Sequence, residues 1–222
     1  MVAKGTKAGP PPLTPEEFAA EVIVSRETMD RLIAYRDLLA KWQRAVNLIS
    51  KGDLPDIWRR HFLDSAQLMP LLPPVAHSPR IIADLGSGAG FPGLVLAILG
   101  AGEVHLIESD GRKCAFLAEA ARITGAPVKI HNIRLGEKGL APPLQADVVT
   151  SRALAPLEKL LEYAMPLLKP GGTCLFLKGA GVAEELTAAG KLWNMRVEKL
   201  PSRTSGTGVI LRLGDISRGG QP

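Results

Sequence analysis

The sequence is short of the features that most often announce a function. It has two cysteines, Cys114 and Cys174, far apart, in no metal-ligand spacing and each inside an apolar run. They read as small buried hydrophobes in a reducing compartment. No apolar run approaches the roughly 20 residues that span a bilayer. The first residues, Met1-Val2-Ala3-Lys4-Gly5-Thr6-Lys7, lack the apolar core of a signal peptide, so a cytoplasmic protein is expected, with no membrane partner. There is no dense basic arm: Arg31, Arg36, Lys41, Arg44, Lys51, Arg59 and Arg60 alternate with Asp30, Asp37, Asp53 and Asp56, as on a solvated mixed surface. The net charge of +5 permits a polyanionic partner without requiring one. No internal repeat is present, and oligomeric state is not readable, a monomer being the default.

What is there is an ordinary globular balance, 46% hydrophobic and 22% charged over 222 residues, enough for one core with a small helical cap. Residues 1–13, ending in Pro10-Pro11-Pro12, read as a mobile tail. Thr14-Pro15-Glu16-Glu17 carries a capping box. Ser25 opens a longer helix with Met29, Leu32, Tyr35, Leu39 and Trp42 on one face, and a third helix follows Asp53, with Trp58, Phe62, Ala66 and Met69 on one face. The proline-rich stretch 70–79 is a linker, which makes 14–79 a helical cap.

The rhythm changes at Arg80, where residues 80–222 begin to alternate strands with helices. Strands are expected at 81–85, 103–108, 128–131, 147–151 and 173–178. Helices are expected at 92–99, 112–124, 156–168, closed by a Lys169-Pro170-Gly171-Gly172 turn, and 182–193. The last two strands, near 196–200 and 209–213, pair as an antiparallel edge hairpin. The fold class is α/β, a doubly wound, mostly parallel sheet with an antiparallel last strand and the N-terminal helical cap.

The most informative stretch is Asp84-Leu85-Gly86-Ser87-Gly88-Ala89-Gly90-Phe91-Pro92-Gly93. Gly88, Gly90 and Gly93 meet the G-x-G-x-x-G spacing, between a strand and a helix start, where ligands of such sheets bind. Charge separates the candidate cofactors. A dinucleotide would set a pyrophosphate against the loop, and Asp84 would repel it. S-adenosylmethionine carries an ammonium and a sulfonium, which Asp84 would attract. One such pair at about 4 Å and an effective dielectric near 20 is of the order of 4 kcal/mol before desolvation. Glu108 closes the second strand about 20 residues after the glycines, where an acid can accept both ribose hydroxyls of an adenosine. The alternatives are a nicotinamide-dependent oxidoreductase with the same glycine spacing and a non-catalytic S-adenosylmethionine- or RNA-binding factor.

Five segments, Asn47-Leu48-Ile49-Ser50, Arg60-His61-Phe62-Leu63-Asp64-Ser65, the Asp84–Gly93 loop, Ser151-Arg152-Ala153 and Leu177-Lys178-Gly179, occur in an order that resembles the bacterial small-subunit ribosomal RNA methyltransferase G family, also called glucose-inhibited division protein B. The resemblance runs from Trp42 to about Gly179. It implies the Rossmann-like methyltransferase fold, S-adenosylmethionine as cofactor, and methylation of guanine N7 in the decoding-region loop of 16S ribosomal RNA, naked or in the small subunit. Carried over by residue, it implies cofactor contacts at Gly86, Phe91, Leu135-Gly136 and Arg152. Family members usually have a small residue followed by an acid at the Leu135-Gly136 pair; here the acid is Glu137.

Guanine N7 has an in-plane lone pair and no proton, so no general base and no catalytic side chain are expected; orientation carries the reaction. Arg152 is the first candidate to contact both cofactor and RNA, or else a surface salt bridge. Asn47 and His61 are expected to face the pocket or the RNA, with a core role equally open for His61. His61 has no second His or Cys at ligand spacing, so no metal is expected. Arg60, beside Arg59, is a candidate phosphate contact, and so is Lys178 at the end of the fifth strand, which an exposed, idle lysine would match equally well.

Overall fold

Thr14 ends the proline run and starts α1 (Pro15–Val22): its hydroxyl accepts from Glu17 N–H, and the Glu17 carboxylate accepts from Thr14 N–H. Ser25 caps α2 (Arg26–Trp42) through Thr28 N–H. Met29, Leu32, Tyr35 and Leu39 line its buried face, with Trp42 half-buried at its end. The computed structural model describes residues 10–74, 79–136 and 144–219. Residues 1–9 of the expected tail, 75–78 of the linker, and Glu137 lie outside them. The tail reading is corrected at its end, because Arg59 donates to the Pro11 carbonyl at 2.9 Å, Asp56 accepts from Leu13 N–H at 2.8 Å, and Leu13 is buried.

A regular helix after Asp53 is not what forms. Lys51–Asp56 makes a 3₁₀ turn around Pro55, Trp58–Leu63 a wide π turn, and only α3 (Asp64–Ala66) is α-helical. The wide turn buries His61, Phe62 and Leu63 in succession, where an α-helix would bury a stripe at spacings of three and four. This local irregularity is what turns His61 inward.

The sheet has seven strands: β1 (Ile81–Leu85), β2 (Glu103–Glu108), β3 (Val128–Asn132), β4 (Ala146–Arg152), β5 (Leu168–Lys178), β6 (Trp193–Pro201) and β7 (Val209–Arg218), in the order 3-2-1-4-5-7-6. The first five run parallel, and β7 is antiparallel to both β5 and β6. The helices between them are α4 (Gly93–Ile98), α5 (Gly111–Thr124), α6 (Leu157–Ala164) and α7 (Val182–Ala189).

Two spans differ from expectation for visible reasons. The Lys169–Gly172 segment bulges within β5: Ala146 pairs with Leu168 and Val148 with Thr173, so four residues loop out opposite one. Trp193 belongs to β6, where it pairs with Arg218 and lies under that guanidinium at 5.2 Å. Two apolar cores cover the two faces of the sheet. One holds α1, α2 and the Trp58–Leu63 turn together with α4 and α5; the other holds α6 and α7. The N-terminal helices therefore share a core with the sheet.

Candidate active site

β1 sits between β2 and β4, so successive connections leave it in opposite directions and open a crevice at the carboxyl ends of the strands. Leu85 is level with Ser151 there, and the Ser151 hydroxyl donates to the Leu85 carbonyl at 3.0 Å. The glycine loop is clamped around this crevice. Ser87 N–H donates to Ile107 O, and its hydroxyl accepts from Ile107 N–H, at 3.0 and 3.1 Å. Gly90, at φ +97°, lies so close to the Tyr35 hydroxyl that a Cβ would stand 2.8 Å from it.

Asp84 is fully buried behind this loop. One carboxylate oxygen accepts from the Thr150 hydroxyl at 2.8 Å, and the other from Gly93 N–H at 3.2 Å. Burial raises its pKa to about 6, against the pull of these hydrogen bonds and of Arg152. The expected direct contact with a cationic ligand is corrected on this point: Asp84 lines neither of the cavities described next, because its oxygens hold the loop and the start of α4. Its charge also acts on Arg152, which lines both cavities.

Two cavities share Gly86, Gly88, Lys113, Arg152 and Ala153. The smaller, about 360 Å³, is bounded by Glu108 and by the apolar side chains of Ile107, Ile133 and Leu135. Glu108 accepts from Gly88 N–H at 2.9 Å and from Asp110 N–H at 2.8 Å, which fixes its carboxylate beside the loop. A carboxylate has about four acceptor sites, so two remain for hydroxyls. A slot of mixed polarity, with apolar side chains for a base and a fixed carboxylate for ribose hydroxyls, suits an adenosine. Gly136 lines neither cavity; at φ +89° it turns the chain against the Tyr163 ring.

The larger cavity, about 610 Å³, gathers residues from opposite ends of the sequence. Arg152 donates to His61 Nδ1 at 2.7 Å and to the Arg60 carbonyl at 3.1 Å, stands 3.6 Å from Asp64, and lies over the Phe91 ring at 5.2 Å. His61 Nε2 is 3.1 Å from Asp53, whose other oxygen is 2.5 Å from Arg60 Nε. Burial, then Arg152, lowers the His61 pKa to about 4, against the opposing pull of Asp53. The imidazole is neutral at physiological pH.

A family model for rRNA small subunit methyltransferase G matches residues 28–208. The chain belongs to this family. It is 56% identical over 212 residues to the ribosomal RNA small subunit methyltransferase G of Rhodospirillum centenum, covering 96% of this chain and 95% of that one. It is 57% identical over 206 residues to that of Rhodospirillum rubrum, covering 93% and 100%. A solved S-adenosylmethionine-dependent methyltransferase from Aquifex aeolicus shares the fold, with a TM-score of 0.56 at 17% identity over 74% of this chain and 95% of that chain. Membership in a methyltransferase family removes the oxidoreductase alternative. Among the described residues no helix is long and apolar enough to cross a membrane, and no cluster of His, Cys, Asp or Glu could hold a metal ion.

Against this family background, Gly86, Gly88, Phe91, Arg152, His61 and Arg60 converge on the crevice, with Glu108 and Leu135 beside them. Gly90 supports the loop from behind. Lys178 does not join them. Its side chain is 6% exposed, donates to the Ala155 carbonyl at 2.8 Å and pairs with Glu185 at 2.6 Å, so it fastens the segment after β4 and offers no charge to a phosphate. Asn47 is exposed and lines neither cavity; the residues after it, Leu48 to Ser50, do. Gln43 binds the backbone of Leu48 and Ile49 and folds that segment inward. Sequence reasoning gave no role to Tyr35, Thr150, Asp53, Asp64, Lys113 or Ser205. Asp64 lay inside the family segment and could have been found. The others carry no local signal.

Proposed function

We propose that this chain transfers the methyl group of S-adenosylmethionine to N7 of a guanine in the decoding-region loop of 16S ribosomal RNA, within the small subunit or its precursor. The coarser statement, methylation of ribosomal RNA with S-adenosylmethionine, follows from family membership. The smaller cavity is assigned to the cofactor, with Glu108 on the ribose, Leu135 beside the base, and Gly86 and Gly88 against the methionine portion. The larger cavity is assigned to the target nucleotide, with Arg152 at the junction. Bound there, the cofactor supplies an electrophilic methyl group.

One observation carries the N7 reading: among the described residues, the histidine and both carboxylates that line the larger cavity are already engaged. Both nitrogens of His61 are engaged, by Arg152 and by Asp53, and Asp53 and Asp64 each face an arginine. An amine or hydroxyl target must lose a proton; guanine N7 has none to lose. The site then needs only to orient two reactants, which can supply several kcal/mol. Arg152 is suited to hold the guanine O6 or a neighbouring phosphate.

The test is mass spectrometry of 16S ribosomal RNA from cells with and without the gene, followed by methyl transfer in vitro to the undermethylated particles. A 7-methylguanosine in the decoding-region loop that disappears and is restored is the expected result. A methyl group on another atom, or on protein, overturns the reading.

A further inference from the structure

His61 and Arg152 lie far apart in sequence, and the distance between their side chains dictates a proton position. A guanidinium nitrogen only donates, so the His61 Nδ1 that faces Arg152 Nη2 at 2.7 Å must be bare. The imidazole proton is then on Nε2, where it is given to Asp53 Oδ2 at 3.1 Å. The other oxygen of Asp53 is paired with Arg60, which helps to hold the carboxylate in place. The His61 ring also rests on Phe91, centroids 4.8 Å apart, and the same Phe91 ring lies under the guanidinium. Nη1 of Arg152 lies on the Arg60 carbonyl and 3.6 Å from Asp64, while Nη2 is held by His61, which is thus the partner that fixes the second terminal nitrogen. A histidine that touched RNA itself would need a free ring nitrogen, and neither is free.

We propose that His61 is a positioning residue for Arg152: its bare Nδ1 aims the guanidinium over Phe91 at the junction of the two cavities, and Asp53 locks the tautomer that allows it. This rests on the reading of Arg152 as the cationic group of the methyl-transfer site. It reassigns His61 from a substrate contact to an orienting group, as with carboxylate–histidine pairs that orient other functional groups.

Two measurements test it. The ¹⁵N spectrum of imidazole-labelled protein at neutral pH reports the tautomer without turnover: the Nε2–H form is expected, and an Nδ1–H form or an imidazolium overturns the proposal. Kinetics then separate positioning from contact. His61→Asn keeps an acceptor near the Nδ1 position, whereas His61→Gln does not. His61→Gln should lower kcat on small-subunit particles by up to about a hundredfold with the RNA dissociation constant unchanged. His61→Asn should stay within a few-fold of the original, and His61→Gln should add nothing in an Arg152→Ala background. Losses that multiply in the double variant, or an Asn variant as poor as the Gln variant, overturn the proposal. If the unaltered protein methylates no ribosomal RNA, it is the functional reading that fails, and the nitrogen spectrum still decides the His61–Arg152 contact.

Discussion

Tyr35 in α2 donates its phenolic hydrogen to the carbonyl of Ala89, in the middle of the glycine loop. The hydroxyl is fully buried, and burial raises its pKa well above the ordinary value, so it remains a donor at any working pH. Its ring packs against Phe62 and Phe91, each 5.4 Å away between centroids. A helix from the N-terminal segment thus sets the height of a loop that belongs to the sheet.

Replacing Tyr35 with Phe keeps this packing and strands a buried carbonyl. An unsatisfied buried acceptor costs about 1–3 kcal/mol, and that loss should appear in thermal or denaturant unfolding. Adenosylhomocysteine affinity should fall with it, because Gly90 and Ala89 are free to shift. Unchanged stability in Tyr35→Phe would mean that the loop holds itself.

Stability against pH should show two buried groups opposing one another. Asp84 has a folded pKa of about 6, raised by burial, so from about pH 4 to 6 the folded chain holds a proton that the unfolded chain has lost. That contribution makes stability fall as pH rises. His61 has a folded pKa of about 4 against an ordinary 6.5, so in the same window the unfolded chain holds the extra proton and stability rises with pH. Each effect is on the order of 3 kcal/mol. Relative to the unaltered chain, Asp84→Asn should make stability climb more steeply with pH, and His61→Asn should make it climb less or decline. Denaturant unfolding across this window checks both signs. Slopes that shift in the same direction would refute the assignment.

Lys178 should matter to folding and not to RNA. It is buried against Glu185, which also accepts from the N–H of Leu157 at the start of α6. Lys178→Met leaves Glu185 without its cation and should destabilise the chain by about 3 kcal/mol. A phosphate contact would instead lower the dependence of RNA affinity on salt by about one unit of slope. The expected result is a lower melting temperature with the slope intact.

This lysine also marks where the sequence stops being informative. The capping box at Thr14, the bend at Gly86–Gly93 and the strand–helix alternation after Arg80 are local or periodic, and each forms as the residues imply. Arg152 was singled out by the family resemblance and by its place just past the expected fourth strand, and it does line both cavities. Its partners His61 and Asp64 are brought to it by the π turn at Trp58–Leu63, whose extra residue per turn leaves no mark on a pattern of apolar spacings. Tyr35 sits in phase with Leu32 and Leu39, so its position on the helix predicts burial equally well with or without a role for its hydroxyl. Asp84 was placed correctly at the strand end, but sequence gives no way to tell which side of the loop its carboxylate takes. Thr150, in the neighbouring strand, decides that.

Lys113 offers the clearest separation of stability from function. It lies in the first turn of α5, just after the capping carboxylate of Asp110, where a cation opposes the helix dipole. Arg112 beside it is 3.4 Å from Asp110, but Lys113 has no hydrogen bond or ion pair among the described residues. It lines both cavities, while the other cations of the larger one, Arg60 and Arg152, already face Asp53 and Asp64. A cation in an unfavourable position, with no internal partner, is left to meet an anion from outside. Lys113→Met should therefore leave the fold unchanged or stabilise it by up to about 0.5 kcal/mol. The same change should weaken binding to ribosomal RNA and lower the salt slope by about one. If adenosylhomocysteine affinity falls instead and the slope holds, the anion that Lys113 meets is the cofactor's carboxylate. If neither changes, Lys113 contributes only to the charge of the surface.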